Sequence, residues 1–515
     1  MGFEVQVTGP LAGVFPAGSL HSAWLNGEPA FGSSSAASEL ARVRESSKRD
    51  DVAPLWRQNI FADKLPKRMQ GLKTGPNVVV TGQQPGFLGG PLLTIYKIAT
   101  AVELAKRLSA TDQPTVPVFW SGDDDDDLAE ALAPCGWNTN LSQLWRSPAR
   151  DRLNETTTQR AVLSDVAPEV WAVPVLSALQ GNESGCDNVV ARLLQVLQSS
   201  IDSDKTWGIG QADLIESIFS ETDLVIIRGN DERLHDIASP FYEKVWESRP
   251  KLMQLATEEG VALRNAGYHA QINERSLANS LFEIKDSKRN RLSIDAPKPE
   301  TWLNVRPGVM LRSLVQDWLL EPSGVVVGPS EQAYLRQLVP VYEAMEVPRC
   351  PLVPRLSAWI SPPSSDSNNK LAHAMEMVKA ESTTADPQIN ALSDEIVAAA
   401  QKKMHDVLVD DLQVPEERAV SMSEARSRRF RKGVLAMLSD ESKRQRATSL
   451  SDLPPWIAPH GQSQERALGW LSALDIWGGG LVPAILNTAG LHLDGGAENS
   501  WQQFAIVAKN GKVSW

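Results

Sequence analysis

Two segments in the first quarter of the chain change abruptly from apolar residues to glycine-rich or acidic ones. Val78–Thr81 is β-branched throughout and runs into Gly82–Pro91, which contains four glycines and two prolines. Val116–Trp120 is apolar and is followed shortly by the five aspartates Asp123–Asp127. Short apolar runs bounded by turn residues are typical of buried strands. The pattern therefore predicts two strands, each followed by a loop.

The segment between these predicted strands has helical periodicity. Leu92–Leu108 carries apolar residues at spacings of three and four, which predicts an amphipathic helix. A strand, a helix and a second strand form the repeating unit of a parallel sheet, and ligands bind outside the carboxyl ends of such strands. We therefore expect Gly82–Pro91 and Asp123–Asp127 to lie at one edge of the sheet and to form a binding site.

The rest of the chain continues this alternation. Further strands are predicted at Leu224–Arg228, Val325–Val327 and Cys350–Pro354, with a small β insertion at Gly267–Asn273, Leu281–Ile284 and Arg291–Ile294. Helices are predicted at Ala36–Ser47, Val52–Leu65, Val190–Leu197, Pro240–Gly260 and Gln332–Met345. Alternating strands and helices favour an α/β fold with a Rossmann-like parallel-sheet core.

The pattern also divides the chain into parts. Ser361–Asn369 is the clearest linker, and the highly charged stretch after it has the apolar spacing of a helical hairpin or a short coiled coil. The predicted parts are the N-terminal part of the core at 1–150, a mostly helical insertion at 151–225, the remainder of the core at 226–360 with the β insertion around 266–294, the linker and coiled-coil arm at 361–450, and a C-terminal segment packing on the core at 451–515.

Composition narrows the class of protein. The chain has 515 residues and a net charge of −12 at pH 7, so it lacks the basic footprint of a general nucleic-acid-binding protein. Its three cysteines are widely spaced, which argues against a metal-ligand pair and indicates a reducing compartment. No secretory signal is visible, and the most apolar C-terminal run, Leu468–Leu493, is interrupted by an aspartate and a triple glycine. We therefore expect a cytoplasmic protein without a membrane span.

The glycine-rich loop is a candidate anion site. Its backbone can approach a ligand closely, and the start of the following helix adds positive potential. The loop matches neither the dinucleotide fingerprint nor the P-loop pattern, and a purely structural turn is the alternative. Two adjacent glutamines, whose amides offer donors and an acceptor, favour a ligand. The candidate binding residues of this loop are Gln83, Gln84, Gly86, Gly89 and Gly90.

The aspartate run has several interpretations. A run of charges is usually a solvated loop, but this one follows a predicted buried strand. Five neighbouring carboxylates cannot all stay ionised without a cation or raised pKa values. Mg²⁺ with a phosphorylated substrate meets that requirement, and so does a carboxylate that serves as general base toward an amine. The candidate catalytic residues are Asp124, Asp125, Asp126 and Asp127.

Polar residues at later strand and helix junctions are further candidates for substrate binding. Those on one helix face or at a helix start can contact a substrate, although structural salt bridges are the commoner explanation. An arginine that follows a strand is suited to bidentate binding of a carboxylate or phosphate. These candidates are Arg312 and Gln316, with Asp317 on the same face, then Glu331 and Tyr334 near a helix start, and Arg355 after a strand.

Seven segments, in order along the chain, resemble the BshC family, the cysteine-adding enzymes of bacillithiol biosynthesis. The most specific is TGQQPGFLGGPLLTIYK at 81–97, which includes Tyr96 and Lys97 as further candidates for substrate binding. The others are PVFWSGDDDDDLAE at 117–130, AGYHAQINERSLANSLFEIKD at 266–286, LRSLVQD at 311–317, VVVGPSEQAYLRQL at 325–338, PLVPR at 351–355 and HGQSQER at 460–466.

The resemblance implies a fold, an assembly and a reaction. The implied fold is a Rossmann-type core with connecting-peptide insertions, related in style to class I nucleotidyl-transferring synthetases, and a C-terminal coiled coil used for dimerisation. The implied reaction joins L-cysteine to glucosaminyl-malate through an amide. In the family a Glu-Asp-His-Asp pattern follows PVFW, whereas this chain has Asp124–Asp127, so Asp126 stands where histidine is expected. The reference pKa values of Asp and His differ by more than two units.

These observations lead to three hypotheses. The first is a carbon–nitrogen ligase with L-cysteine and glucosaminyl-malate as substrates, ATP and Mg²⁺ as candidate cofactors, and a homodimer as the expected assembly. In it, Gly82–Gly90 holds the activated carboxyl or phosphate, Asp124–Asp127 bind ammonium groups or Mg²⁺ or take the amine proton, and Lys97 and Arg312 stabilise developing negative charge. The second is a diverged nucleotidyltransferase-like enzyme acting on another small acid. The third is a non-catalytic family member that dimerises through residues 370–450.

Overall fold

The structure is a computed structural model that describes most of the chain. The described residues are 2–15, 19–28, 34–46, 53–57, 61–70, 72, 75–111, 113–137, 143–150, 161–180, 188–272, 280–361, 385–424, 426–427, 430, 433–434, 437–438, 456–457, 459 and 462–509.

Strands and helices alternate along this part of the chain. The strands are β1 (Gly2–Pro10), β2 (Asn77–Gln83), β3 (Thr115–Ser121), β4 (Gly136–Trp137), β5 (Leu144–Trp145), β6 (Val225–Arg228), β7 (Leu281–Lys285), β8 (Lys288–Arg291), β9 (Val305–Pro307), β10 (Gly324–Val327), β11 (Leu352–Pro354), β12 (Ala358–Ser361) and β13 (Gln502–Lys509). The α-helices are α1 (Leu20–Asn26), α2 (Ala36–Ser46), α3 (Pro54–Arg57), α4 (Leu92–Ser109), α5 (Leu128–Ala131), α6 (Pro168–Trp171), α7 (Val173–Gln180), α8 (Asn188–Asp202), α9 (Trp207–Ile218), α10 (Glu232–Asn265), α11 (Val309–Leu320), α12 (Pro329–Gln337), α13 (Val339–Met345), α14 (Ala385–Asp406), α15 (Gln464–Ala467), α16 (Trp470–Trp477) and α17 (Leu481–Ala497).

A five-stranded parallel sheet forms the core, with the strand order β11-β10-β2-β3-β6. From β2 the chain builds outward through β3 to β6, and it then returns to the other side of β2 for β10 and β11. This reversal is the topological switch point of a doubly wound sheet, where ligands bind in the crevice at the carboxyl ends of the strands. The predicted Rossmann-like α/β core is thereby confirmed.

The two strands predicted from apolar runs lie side by side in this sheet. β2 pairs with β3 from Asn77 opposite Thr115 to Gln83 opposite Ser121, so the two strands end at the same edge. Every residue of β3 is buried, as expected for a strand covered on both faces. The predicted positions of the two following loops at one edge are confirmed.

A separate sheet joins distant parts of the chain. Its order is β1-β13-β12: β1 is antiparallel to β13, with Gly2 opposite Lys509, and β12 is parallel to β13. The buried residues Phe504, Ala505 and Ile506 of β13 belong to the same hydrophobic cluster as α16 and α17. The C-terminal segment therefore packs through both helices and a central strand.

Several predicted elements have different bounds in the structure. The strand predicted at Gly267–Asn273 is wrong for residues 267–272, which form a turn and irregular chain after α10. Gly267 has a φ of +86°, and the amide of Tyr268 donates to the Leu263 carbonyl at 2.9 Å. This backbone therefore closes the end of the helix instead of joining a sheet.

The β insertion contains a tight hairpin that shifts its second strand. The strand predicted at Arg291–Ile294 is instead β8, because Asp286 and Ser287 both have positive φ values, 53° and 57°. Two central residues of this kind turn the chain in two residues, so β8 starts directly after them.

Two helix predictions also need correction. The helix predicted at Gln332–Met345 is split into α12 and α13 at Leu338, because Pro340 lies in the first turn of α13 and has no amide hydrogen to continue the ladder. At Val52–Leu65 the described residues hold only the short α3 and a 3-10 turn, Ala62–Lys64.

The predicted arm is helical where it is described. α14 is followed by a π-helical turn at Val407–Asp411, and residues 416–424 are helical. Of the predicted linker Ser361–Asn369, only Ser361 lies within the described residues, where it ends β12. The coiled coil stays a prediction. Among the described helices, none is both long and apolar enough to cross a membrane.

Candidate active site

A cleft of about 620 Å³ opens at the carboxyl ends of β2, β3 and β10. Backbone pairing of β2 with β10 is limited to Val79 and Val80 opposite Gly324 and Val325. The next contact is made by a side chain, because the Thr81 hydroxyl donates to the Val326 carbonyl at 2.9 Å. The ladder therefore ends early at the switch point, and the cleft lies where the two strands separate.

Most of the site residues predicted from the sequence line this cleft. The lining includes Gln83, Gln84, Gly86, Lys97, Asp125, Asp127, Arg312, Gln316, Glu331, Tyr334 and Arg355. The predicted residues outside the lining are Gly89, Gly90, Tyr96, Asp124 and Asp126.

The glycines of the loop after β2 serve close packing. A side chain on Gly86 would place its Cβ 2.7 Å from the Cα of Gly90, and one on Gly89 would meet the ring of Trp470 at 2.3 Å. The Gly89 carbonyl accepts hydrogen bonds from the Trp470 indole and the Gln211 amide. The loop thus docks α16 and α9 against the core, while its first residues, Gln83 and Gln84, face the cleft.

Arginines compensate the negative charge in the first part of the aspartate run. Asp123 is fully buried and accepts from Arg228 Nε at 2.7 Å and from the backbone amide of Asn230 at 2.8 Å. Burial raises the pKa of Asp123, and Arg228 opposes the effect. Asp123 therefore ties the end of β3 to the chain after β6.

Asp124 and Asp125 share one guanidinium. Arg312 Nη2 lies 3.0 Å from Asp124 Oδ2 and 3.4 Å from Asp125 Oδ2. Asp125 also accepts from Arg289 Nη1 at 3.1 Å. Burial acts to raise the pKa of Asp125, but the charges of Arg312 and Arg289 outweigh it and hold that pKa below its ordinary value. Asp125 is therefore held as a carboxylate.

Asp126 and Asp127 have separate partners. Asp126 Oδ1 lies 3.3 Å from Arg289 Nη1, whose guanidinium stacks on the Phe282 ring. Asp127 caps α5, because its Oδ1 accepts from the Glu130 amide at 2.9 Å. The cations that let the aspartates lie together are thus guanidinium groups from later parts of the chain.

The buried Lys97 pairs with the half-buried Glu331 in the lining of the cleft. Lys97 Nζ lies 2.6 Å from Glu331 Oε2 and donates to the Gly82 carbonyl at 2.8 Å and to Gln83 Oε1 at 3.1 Å. Burial lowers the pKa of Lys97, and Glu331 opposes the shift. Glu331 Oε2 also accepts from the Gly328 amide at 2.8 Å, so it caps α12. The pair fixes the ends of β2 and β10 relative to each other.

Arg355 binds a protein carboxylate in bidentate geometry, and its role in substrate binding stays a prediction. Its Nη1 and Nη2 lie 2.9 and 2.5 Å from the two oxygens of Glu465, which also accepts from the Ser357 hydroxyl at 3.0 Å. Burial acts to raise the pKa of Glu465, but Arg355 outweighs it and keeps that pKa low. Tyr96 is fully buried nearby, and burial raises its pKa well above the ordinary range.

Within the described part of the chain, no group of three or more His, Cys, Asp or Glu side chains is arranged to hold a metal ion. Carboxylate oxygens do line the cleft, at Asp125, Asp127 and Glu130. Mg²⁺ commonly takes only one or two protein carboxylates and completes its shell with water and substrate phosphates. The acidic wall of the cleft fits that manner of binding.

Sequence reasoning missed several residues that shape the site. Arg228 pairs with Asp123 from 105 positions away in the chain, and Arg289 pairs with Asp126 from 163 positions away. No local sequence pattern predicts either pair. Three further residues of the site lie in segments that resemble the BshC family: Glu130, Glu465 and Arg466. That resemblance is the feature of the sequence from which they could have been predicted.

Known proteins match large parts of this chain. A family model described as the N-terminal Rossmann-like domain of bacillithiol biosynthesis BshC matches residues 52–304. A protein of Koribacter versatilis is 31% identical over 57% of this chain and 57% of its own length. One of Halalkalibacterium halodurans is 25% identical over 84% of this chain and 86% of its own. Both are named "Putative cysteine ligase BshC".

The extent of these matches differs between comparisons. The chain spans little more than half the length of the Koribacter relative. Among solved structures, the arginyl-tRNA synthetase of Thermus thermophilus aligns with 88% of this chain and 84% of its own, at 13% identity and a TM-score of 0.22, which supports no inference. The family match covers β2, β3, β6 and the aspartate run, and the relatives extend it. A BshC family model thus matches the part of the chain that holds these three strands and the aspartate run, and relatives named BshC are similar to it over 57% and 84% of its length.

Proposed function

We propose that the protein is a cysteine ligase of bacillithiol biosynthesis, which joins the carboxyl group of L-cysteine to the amine of glucosaminyl-malate. The observation that carries the proposal is the cleft at the switch point of the BshC-type sheet, which presents carboxylates and cations together. A volume of about 620 Å³ lies within the range of small-molecule sites. The names of the relatives agree with this activity.

The walls of the cleft suit the two kinds of group that the reaction brings together. Asp127 and Glu130 on one wall suit an ammonium group. Arg466, also in the lining, is exposed and makes no ion pair with a carboxylate among the described residues, so it is available to a carboxylate or phosphate. Holding both substrates in one crevice supplies rate through positioning.

Activation of the carboxylate requires a source of free energy, and ATP with Mg²⁺ supplies it by converting the carboxylate into an acyl phosphate or adenylate. The residues that fit these groups are Arg466 for a phosphate and Asp127 or Glu130 for the ion. Lys97, Arg312 and Arg355 are already paired with protein carboxylates, so their role is to hold the walls in position.

The test is a mass-spectrometric assay of the purified protein with glucosaminyl-malate, L-cysteine, ATP and Mg²⁺. We expect the mass of the amide product, bacillithiol, and its loss when ATP is left out. Folded protein that yields no product would overturn the proposal. Product formed equally without ATP would overturn the activation step alone.

A second candidate is a related ligase that activates a different small acid. It is favoured by one observation, Asp126 at the position where the family has histidine, here paired with Arg289. Consumption of ATP in the presence of glucosaminyl-malate, measured over a panel of amino and hydroxy acids, separates the two candidates. A preference for cysteine supports the first, and a preference for another acid supports the second.

A further inference from the structure

The cations that line the cleft differ in their partners. Lys97, Arg312 and Arg355 each lie within 3.0 Å of a protein carboxylate oxygen. Arg466 also lines the cleft, and it is exposed. Among the described residues it makes no ion pair with a carboxylate within 4 Å. Within this part of the chain, Arg466 is therefore the cation of the lining that is available to a ligand.

The short helix α15, which carries Arg466, is anchored by the two residues before it. Gln464 exchanges two hydrogen bonds with the backbone of Ile360: its Oε1 accepts from the amide at 2.8 Å, and its Nε2 donates to the carbonyl at 2.9 Å. Glu465 accepts two hydrogen bonds from the guanidinium of Arg355. These contacts hold α15 on β12 and on the chain after β11, so the backbone of Arg466 has a fixed position at the cleft.

Backbone hydrogen bonds also join the end of α15 to the chain that follows α5. The Cys135 amide donates to the Ala467 carbonyl at 2.8 Å, and the Gly469 amide donates to the Cys135 carbonyl at 2.9 Å. The residues at the start of α5 and within it form the acidic wall of the cleft. Arg466 and that wall are therefore held on two connected segments.

This side of the cleft combines a cation with carboxylates that it does not contact. Asp127 and Glu130 form the acidic wall, and neither makes an ion pair with Arg466 within 4 Å. A ligand with both a positive and a negative group can meet the wall and the guanidinium at once. Because the guanidinium fork matches a carboxylate in bidentate geometry, a carboxylate is a suitable negative group.

Glucosaminyl-malate is a ligand of this kind. Its amine and its malyl group are attached to adjacent carbons of the sugar ring, so a positive group and two carboxylates lie a few bonds apart. A phosphate brings only negative charge, and it needs an ion to offset the carboxylates of the wall. The amine acceptor therefore matches this side of the cleft in both signs of charge.

We propose that Arg466 binds a carboxylate of the malyl group and thereby selects an acceptor with an acidic aglycone. This inference rests on the proposed ligase function. With the malyl group at Arg466, the amine of the same molecule lies toward the acidic wall. Arg466 is a specificity-determining residue in this arrangement and takes no part in making or breaking bonds.

Two acceptors that differ in their aglycone test this role. The complete assay, with L-cysteine, ATP and Mg²⁺, is run with glucosaminyl-malate and with methyl glucosaminide, whose aglycone is uncharged. In the wild type, kcat/KM should be about 10- to 100-fold higher for glucosaminyl-malate, as expected for hydrogen bonds to a charged group. Arg466→Gln should bring this ratio close to one, mainly through a higher KM for glucosaminyl-malate.

Two further variants serve as comparisons. Arg466→Lys keeps the charge but not the fork, so its preference should be intermediate. Arg264→Gln changes an exposed arginine in the last turn of α10, outside the cleft lining, and should match the wild type. Melting temperatures show whether each variant is folded. If Arg466→Gln is not folded, Arg466→Lys decides, and full wild-type preference in it would count against the proposal.

Calorimetry separates this inference from the proposed function, because binding of the two acceptors is measured without turnover. Wild-type protein that neither makes amide nor binds glucosaminyl-malate overturns both. Protein that makes no amide overturns the ligase function, while a binding preference that Arg466→Gln loses still supports the role of Arg466. Active wild type whose preference is unchanged in Arg466→Gln overturns that role alone. A higher KM for ATP or L-cysteine, with the acceptor preference unchanged, assigns Arg466 to that substrate and also overturns it.

Discussion

The loops that follow β2 and β3 lie at the same edge of the sheet but are built for different purposes. The loop after β2 uses its backbone: Gly86 and Gly89 permit contacts that a Cβ would block, and the Gly89 carbonyl receives the Trp470 indole. The loop after β3 uses its side chains: Asp123, Asp124, Asp125 and Asp126 are matched to arginines from later parts of the chain, and Asp127 caps α5. One loop docks neighbouring helices, and the other organises charge around the cleft.

The difference shows that two loops with similar sequence patterns can have different structural roles. Both loops follow a buried strand, and both read as ligand sites from sequence. Packing determines the residue type in the loop after β2, because at Gly89 only glycine leaves room for the Trp470 ring. Electrostatics determines the contacts of the loop after β3, because carboxylates that lie together require compensating cations. Substitutions in the two loops should therefore lower the free energy of unfolding for different reasons.

The largest effect is expected from removing the shared cation of the acidic loop. Arg312→Met leaves Asp124 and Asp125 without their common partner, and breaking a buried pair costs about 3–5 kcal/mol of unfolding free energy. Arg312 keeps the pKa of Asp125 low. The share of the lost unfolding free energy that comes from Asp125 should therefore be fully present above about pH 4, and it should shrink at lower pH as the carboxylate becomes protonated. Denaturant titrations at several pH values measure it.

The matched control for that variant is Arg68→Met. Arg68 pairs with Asp223, and both side chains are exposed, at 55% and 38%. Pairs of this kind contribute about 0–1 kcal/mol. Equal losses in the two variants would show that the buried position of Arg312 has no special weight in the acidic loop.

A smaller effect is expected in the glycine-rich loop. Gly89→Ala places a methyl group against the Trp470 ring, and overpacking costs about 1–3 kcal/mol. Gly267→Ala is the control, because Gly267 has a similar φ, +86° against +80°, and no atom lies within 4 Å of its added Cβ. Both variants bear the backbone strain, and only Gly89→Ala bears the clash. Denaturant unfolding with equal losses would contradict the packing role.

The smallest effect is expected at the cap of α5. Asp127→Ala removes the acceptor for the Glu130 amide and should cost about 0.5–2 kcal/mol, whereas Asp127→Asn keeps a capping oxygen and should cost less. Comparing the thermal stability of the two variants separates capping from charge. If the asparagine variant is the less stable, the charge of Asp127 matters more than its hydrogen bond.

Local patterns predicted the parts of the fold that local physics determines. The apolar run of β3 and the periodicity of α4 identified the sheet and the edge at which the cleft lies. Tight turns shifted the bounds elsewhere, as at Asp286 and Ser287, where two positive φ values start β8 early.

The partners of the charged residues were beyond such reasoning. Arg289 comes from a hairpin strand, 163 positions after Asp126, and only the folded chain brings them together. Glu130 was hidden by the conspicuous aspartates before it. Residue types indicated the chemistry of the cleft, but the environment of each carboxylate depends on tertiary contacts that composition and spacing do not encode.

The sheet of β1, β13 and β12 has a consequence for synthesis on the ribosome. β1 is made long before its partner β13, which begins at Gln502. At about 5–20 residues per second, β1 waits roughly 25–100 s with its hydrogen-bonding edge open. An exposed edge invites pairing with other chains. A chaperone that shields nascent segments should therefore matter more to this protein's yield than to its stability once folded.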